Sequence, residues 1–485
     1  MATQPVDRSL KEKTARGLFW GFLSSGGMQL LNLVIGIFLA RLLSPQEYGI
    51  VGMLTIFSFL AVNLQDSGFG IALVNIRDIR HDDYNSVFWF NVVVSVTLYA
   101  VLFLCAPLIA AFFRQPCLTA LSRYVFVGFI FAALGNTPNA MLTRQLMVRE
   151  KTIVTLLALA LSGTVGVVMA FKGFSYWSLA TLQLLYNAVV CCGRYWFARW
   201  SPTFHFDFAP VRRMFSFSYK VMLTMLLGTL SNNVLTVIFG RLFPAHDVGN
   251  YTQANKWNMM AGGLVSGTVA QVAQPVLVRV NDDKVRQRRV FGKMLRFTAF
   301  LSFPAMLGLA LVAPQFIQVA IGPKWTSCIP LLQILCVSGA FLPLFTVYQH
   351  LLLSMGKSNI YMWLNVAQTV LVIASVLACH AWGITVMVMA FAAVGILWLL
   401  AWQYYAMRLI GYSYWQMFKD LLPFLIVTVA VLGLTLLLTM RLTGTWTLLV
   451  VRVLLAALLY MGVMKVLKVK IFEECIGFVR EKLKF

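Results

Sequence analysis

A lysine, two glycines and a glutamine recur at a spacing that places them on one face of a helix. Gly263, Gly267 and Gln274 follow Lys256 at offsets of 7, 11 and 18 residues. At 100° per residue, these offsets return to within about 20° of the lysine's direction. Such a face offers one positive charge and amide hydrogen-bonding groups. The chemistry that it predicts is the binding of an anionic, polar ligand at the wall of a cavity.

Two interpretations of this face remain open at the level of the sequence. In the first, it lines a wet cavity, where an ionisable side chain inside a membrane is tolerated. In the second, the glycines form a helix-packing stripe that allows close contact, and the Lys256 ammonium extends to the lipid headgroups.

Other polar residues are weaker candidates for the same binding role. Gln29 and Asn32 have counterparts 200 residues later in Thr229 and Asn232, and such amides either bind ligand hydroxyls or join neighbouring helices. Arg123 is a second cationic candidate, near the start of a predicted helix. Further candidates are the repeated Arg41 and Arg241, and the acid Asp66.

The elements that position these residues are long apolar segments. Of 485 residues, 60% are hydrophobic and 11% are charged, whereas soluble domains average about 25% charged residues. Fourteen segments approach or exceed the length of about 20 residues that crosses a bilayer as a helix. They cover 18–40, 48–64, 86–112, 122–142, 153–171, 176–198, 217–240, 249–276, 296–321, 328–354, 360–380, 383–406, 421–440 and 446–464. The sequence predicts an all-α polytopic membrane protein with about fourteen transmembrane helices.

The net charge of +23 is distributed by membrane side and does not form a nucleic-acid footprint. With the N-terminus cytoplasmic, 30 of the 39 lysines and arginines fall on the cytoplasmic side, as the positive-inside rule requires. The remaining nine are Arg41, Arg114, Arg123, Lys172, Arg241, Lys256, Lys324, Arg441 and Arg452. We therefore expect both termini in the cytoplasm and no nucleic-acid partner.

A repeat organises the fourteen segments. "RLLSPQEYG" at 41–49 returns as "RLFPAHDVG" at 241–249, and six spans per copy give two copies that run in the same direction. Parallel repeats predict a substrate path between two lobes. The expected lobes are 1–200 and 201–407, followed by 408–485 with two extra spans and an amphipathic cytoplasmic tail.

Each repeated loop has predicted structural roles. Pro45 and Pro244 stop a helix, and Gly49 and Gly249 allow a tight turn into the next one. The two loop arginines anchor the outer interface or, alternatively, contact substrate.

Two basic segments, 283–297 and 468–485, predict contact with anionic membrane lipids. A docking surface for cytoplasmic partner proteins is a second interpretation of these segments. The eight cysteines show no metal or redox spacing, and no cofactor is expected.

The chain resembles Wzx-type flippases, the colanic-acid type in particular, in the polysaccharide-transporter branch of the MATE-like flippase superfamily. The stretches that carry the resemblance are "ARLLSPQEYGIVGML", "LQDSGFGIALVNIRD" and "FPAMLGLALVAPQFIQVAIGPKWTSCIPLLQILCVSG". The resemblance implies two six-helix lobes plus a terminal pair. It also implies movement of undecaprenyl-diphosphate-linked oligosaccharide from the cytoplasmic to the periplasmic leaflet of a bacterial inner membrane. The partners that could dock on the basic segments would then be other polysaccharide-assembly proteins.

The acidic residues separate the remaining function classes. Of sixteen acids, only Asp66 lies close to the interior of a span. It is either a coupling site for H⁺ or Na⁺ or part of an Asp-Ser-Gly turn. Few buried acids favour an anionic substrate over a cationic one. A membrane enzyme is not expected, because the outward loops are short and hold no acid–base pair. A MATE-like ion-coupled exporter of small molecules is the open alternative.

Overall fold

The computed structural model describes residues 20, 26–66, 69–75, 79–204, 207–474 and 477, without the side chains of 61–66 and much of 216–232. In this part of the chain every regular element is a helix. The helices are α1 Gly26–Leu42, α2 Pro45–Asp66, α3 Phe69–Asn75, α4 His81–Phe113, α5 Leu118–Arg144, α6 Val148–Phe171, α7 Trp177–Ala198, α8 Phe208–Leu242, α9 Ala245–Arg279, α10 Lys284–Ala320, α11 Cys328–Gly339, α12 Leu342–Ser354, α13 Ser358–Ala378, α14 Ile384–Ile410, α15 Tyr414–Thr439 and α16 Thr445–Val466. Single 3₁₀ turns lie at Pro323–Trp325 and His380–Trp382.

Ten helical segments of the described chain are long and apolar enough to cross a membrane. One of them is Cys328–Ser354, which a turn at 340–341 divides into α11 and α12. Pro343 follows this turn as the second residue of α12, where its missing N–H costs no helical hydrogen bond. The other four predicted segments coincide with α1, α2, α7 and α8, which are not among the ten. The all-helical multi-pass fold is confirmed, and the count of fourteen spans stays a prediction.

The chain divides into two compact units, 1–249 and 250–485. In the first, α5 is central and packs against α2, α3, α4 and α7, while α8 packs on α2 and α4. In the second, α10 is central and packs against α11, α12, α15 and α16. The division that the repeat predicts, at 200/201 and 407/408, stays a prediction.

Local chemistry explains where α2 begins. Pro45 is its first residue, a position where proline's fixed φ is already helical. The Ser44 hydroxyl accepts a hydrogen bond from the Glu47 N–H at 3.4 Å, and the Glu47 carboxylate accepts from the Ser44 N–H at 2.6 Å. This reciprocal pair is a capping box, so the first repeated loop encodes its own helix start.

The two repeated loops contact each other within the first unit. A Cβ on Gly49 would overlap the carbonyl oxygen of Ala245, and a Cβ on Gly249 would overlap that of Pro45. Each Cβ would also lie 3.0 Å from the other glycine's nitrogen.

The role expected for these two glycines was wrong. Both lie inside helices, in α2 and α9, and neither is among the glycines with positive φ. They permit close approach of two helix backbones and do not form turns, because only a residue without a Cβ fits the gap.

Candidate functional site

The N-terminal half of α9 carries the leading candidate cation. Lys256 is half-buried, and its ammonium nitrogen lies 5.8 Å from the centre of the Trp257 ring. It forms no hydrogen bond or ion pair with any other described residue. The Trp257 ring is itself fixed by an edge-to-face contact with Phe316 of α10, with centroids 5.1 Å apart. The ammonium therefore has an aromatic neighbour but no hydrogen-bond acceptor among the described residues.

The face that runs from Lys256 along α9 is open. A Cβ on Gly263 or on Gly267 would meet no atom within 4 Å, and Gln274 is exposed. A packing stripe would place a neighbouring helix over the two glycines. The described chain places none there, so the packing-stripe interpretation finds no support in the described residues. Whether this face lines the predicted cavity stays a prediction.

Sequence reasoning missed a group of buried polar side chains beside the lysine. Gln253 is 0% exposed and Asn258 is 1% exposed. Both amide atoms of Gln253, the indole N–H of Trp257 and the Asn258 carbonyl oxygen have no hydrogen-bond partner in the described protein. Buried polar atoms normally have a partner, so these are suited to bind water or a polar ligand. The dense polar run "NYTQANKWN" at 250–258 was the available signal.

Arg123 and Arg241, by contrast, bind the protein itself within the first unit. The Arg123 guanidinium donates to the Phe103 carbonyl oxygen at 3.4 Å and lies 4.2 Å from the Phe103 ring centre. The Arg241 guanidinium donates to the Phe112 carbonyl oxygen at 2.8 Å. Both acceptors belong to α4, and Phe112 lies in its last turn, where a cation offsets the helix dipole. These contacts give both arginines a structural role, and their substrate role stays a prediction.

The remaining sequence candidates lie at separate places. Gln29 and Asn32 are half-buried on α1, and Arg41 is exposed in its last turn. The side chains of Asn232 and Asp66 fall outside the described residues, although their backbones lie in α8 and at the end of α2. No group of three His, Cys, Asp or Glu able to hold a metal ion occurs in the described part.

Arg452 of α16 is held by side chains of the second unit. Its guanidinium donates to Thr439 Oγ1 of α15 and to Gln315 Oε1 of α10, both at 3.1 Å. It also lines a largely apolar cavity of about 550 Å³ among α10, α15 and α16. Its hydrogen bonds join three helices, which gives it a structural role.

Comparison with known proteins identifies the family. A family model described as "polysaccharide biosynthesis protein" matches residues 38–330, which is more than half of the chain. The chain belongs to this family. The resemblance to Wzx-type flippases drawn from the sequence is thereby confirmed.

Two relatives with polysaccharide-related names cover most of the chain. It is 26% identical over 374 residues to lipopolysaccharide biosynthesis protein WzxC of Escherichia coli (strain K12), across 76% of this chain and 75% of that protein. It is 27% identical over 413 residues to succinoglycan biosynthesis transport protein ExoT of Rhizobium meliloti (strain 1021), across 84% and 81%.

Solved structures show the same fold. Lipid II flippase MurJ in an inward closed conformation matches with a TM-score of 0.75 at 13% identity, covering 97% of this chain and 100% of MurJ. An inward-facing MATE family multidrug transporter matches with a TM-score of 0.61 at 17% identity, covering 79% and 96%. This polysaccharide biosynthesis protein thus has a MATE-like fold. The family shown above is one of transporters and not of catalytic enzymes.

Proposed function

We propose that the protein is a flippase that moves undecaprenyl-diphosphate-linked oligosaccharide from the cytoplasmic to the periplasmic leaflet. The glycan would serve capsule, exopolysaccharide or O-antigen synthesis. Membership of the polysaccharide biosynthesis family supports this substrate class, since WzxC and ExoT carry polysaccharide biosynthesis in their names. The fold shared with a lipid II flippase supports the reaction type.

The observation that carries the proposal is the distribution of charge along the helices. Lys256 is a half-buried cation inside α9, and no carboxylate of the described side chains pairs with it. Apart from Asp66, every acid of the described chain lies in a loop, in the tail after α16, or within the first seven residues of a helix. A membrane interior that offers a cation and few carboxylates attracts an anion such as a diphosphate.

The proposed mechanism assigns separate tasks to charge and amide groups. The Lys256 ammonium binds the diphosphate, and the buried amides of Gln253 and Asn258 bind sugar hydroxyls. Alternating access requires contacts that differ between two conformations, and exchangeable hydrogen bonds meet that requirement. In this scheme Asp66 is the candidate site for H⁺ or Na⁺ as coupling ion.

Reconstituted transport tests this function directly. The full chain is placed in liposomes with a fluorescent lipid-linked oligosaccharide in one arm and a cationic dye under an ion gradient in the other. We expect movement of the lipid-linked oligosaccharide between leaflets and no dye accumulation. Dye transport without oligosaccharide movement would instead establish the MATE-like exporter alternative.

The proposed orientation places both termini in the cytoplasm of a bacterial inner membrane. Single cysteines introduced at Thr3 and at Phe485, in a chain without its other cysteines, report the side through a membrane-impermeant maleimide. Labelling only after lysis is expected. Labelling of either position in intact spheroplasts would place that terminus in the periplasm and contradict the proposed orientation.

A further inference from the structure

A basic pocket lies where the first turns of α10 meet the start of α15. Its volume is about 360 Å³. The residues that define its chemistry are Arg288, Arg289, Arg296, Tyr412, Lys419 and Asp420. No task in the proposed transport cycle uses these residues. The three arginines lie in the basic segment 283–297, for which the sequence predicts contact with anionic lipids but no particular binding site.

The pocket keeps a surplus of positive charge after its internal contacts are counted. Arg296 forms an ion pair with Asp420 at 3.0 Å, and the Tyr412 hydroxyl donates to the same carboxylate at 2.7 Å. Burial, followed by this hydrogen bond, raises the pKa of Tyr412 well above its usual value, so the phenol stays a neutral donor. Arg289 and Lys419 have no hydrogen-bond or ion-pair partner within the described residues. Four cations therefore face one carboxylate.

The places of the pocket residues along α10 and α15 indicate how deep the pocket lies in the membrane. α10 has 37 residues, a length of about 55 Å, while the hydrocarbon core measures about 30 Å. After Arg296 the next charged residue is Lys324, and after Asp420 the next is Arg441. The apolar parts of both spans thus begin at the pocket, which places it at the level of the lipid headgroups.

Apolar side chains beside the pocket fit a lipid. Trp415, Phe418 and Leu422 are 77%, 41% and 40% exposed. They are spaced three and four residues apart, so they form one stripe on α15 next to the face of Lys419. An exposed tryptophan at this level is typical of a membrane interface. A soluble anion has no apolar chains that could contact such a stripe.

We propose that this pocket binds the phosphate headgroup of an anionic phospholipid, with the acyl chains along the stripe of Trp415, Phe418 and Leu422. Basic pockets between transmembrane helices are suited to such headgroups, and guanidinium groups bind phosphate through paired hydrogen bonds. The bound lipid would link α10 to α15. This inference does not depend on which substrate the protein transports.

Native mass spectrometry of the detergent-purified full chain tests the proposal. Phosphatidylglycerol is titrated against the wild type, an Arg289→Gln/Lys419→Gln variant and an Arg286→Gln/Lys465→Gln control. The control removes two charges from exposed residues that do not line the pocket. We expect the pocket variant to bind phosphatidylglycerol at least about tenfold more weakly, because charge-assisted hydrogen bonds are lost, and the control to change less than about twofold.

Three outcomes would overturn the proposal. An equal loss of phosphatidylglycerol binding in the pocket variant and the control would show that net charge alone attracts the lipid. Unchanged binding in the pocket variant, with wild-type melting behaviour, would show that the lipid binds elsewhere. Displacement of phosphatidylglycerol by inorganic phosphate at equal concentration would identify a soluble-anion site, whereas phosphatidylcholine at that concentration should neither bind nor compete.

Discussion

Two neighbouring stretches of the chain, 241–249 and 256–274, use the same residue types in opposite surroundings. In the first, Arg241 donates to a backbone carbonyl and Gly249 is covered by the backbone of Pro45. In the second, Lys256 has no acceptor among the described residues, and Gly263 faces open space. The first stretch is built as a helix contact, and the second presents unused donors and an uncovered face.

The difference teaches that the partner, and not the residue type, decides the role. A cation whose donors are satisfied by the protein stabilises the fold, while one without an acceptor is available to a ligand. A glycine facing a backbone is required for packing, while one facing open space leaves room. Each of the following substitutions changes a glycine, a cation or a buried amide of one of these two surroundings.

The largest loss of stability is expected from Gly49→Ala or Gly249→Ala. The new methyl group would overlap a carbonyl oxygen of a facing helix backbone, which cannot rotate away as a side chain would. Overpacking typically costs about 1–3 kcal/mol and more where the neighbouring atoms cannot move, so we expect a loss of stability of about 3 kcal/mol or more. Folded, monodisperse protein measured by size-exclusion chromatography should fall to a small fraction of the wild-type level.

The matched control for this change is Gly263→Ala, where the methyl group meets no atom within 4 Å. Alanine also has the higher helix propensity, so this variant should match or slightly exceed the wild-type melting temperature. Equal losses at Gly249 and Gly263 would mean that helix flexibility, and not the backbone contact, makes Gly249 necessary.

A large loss of transport is expected from Lys256→Ala. Hydrogen bonds to charged groups contribute about 1.5–3 kcal/mol, which corresponds to at least about a tenfold loss of oligosaccharide movement. Lys256→Arg should keep part of the activity, since it preserves the charge. The measurement is reconstituted flipping at equal protein content.

Lys172→Ala provides the control, because Lys172 is an exposed lysine after α6. It should leave transport within about twofold of the wild type. If Lys256→Ala behaves in the same way, the lysine serves only to reach the headgroups, and the open face loses its proposed role.

The sequence predicts those parts of the molecule that depend on local pattern. Apolar length located the helices, as in α10 and α16, because hydrocarbon requires continuous apolar segments. It also placed Lys256 and Gly263 on one face, since helical period alone decides that. The sequence could not predict the hydrogen bond from Arg241 to α4 or the close backbone contact at Gly249. Both depend on segments more than 100 residues away in the chain, which only the tertiary fold brings close.

Gln253 was missed for a different reason. The dense polar run at 250–258 marks this part of α9 as unusual, but the sequence does not reveal which of its side chains will be buried without a partner. Gln253→Leu should remove an unsatisfied buried amide, which costs about 1–3 kcal/mol to leave unpaired. We therefore expect a higher melting temperature together with several-fold slower oligosaccharide flipping. A stability gain with unchanged flipping would exclude Gln253 from substrate binding.

The smallest effect on transport is expected from Arg241→Ala. Its guanidinium joins the end of α8 to the last turn of α4 through one hydrogen bond of 2.8 Å, and it also lies 5.3 Å from the Phe112 ring centre. Loss of a charge-assisted bond at an exposed helix end should cost about 1–2 kcal/mol of stability. Because the donor is already occupied by the protein, flipping per folded molecule should stay within about twofold of wild type. Arg241→Lys should recover part of the melting temperature, since an ammonium also binds a helix C-terminal carbonyl. If Arg241→Ala abolishes flipping at an unchanged melting temperature, the arginine contacts substrate, and the distinction between satisfied and unsatisfied cations fails at this position.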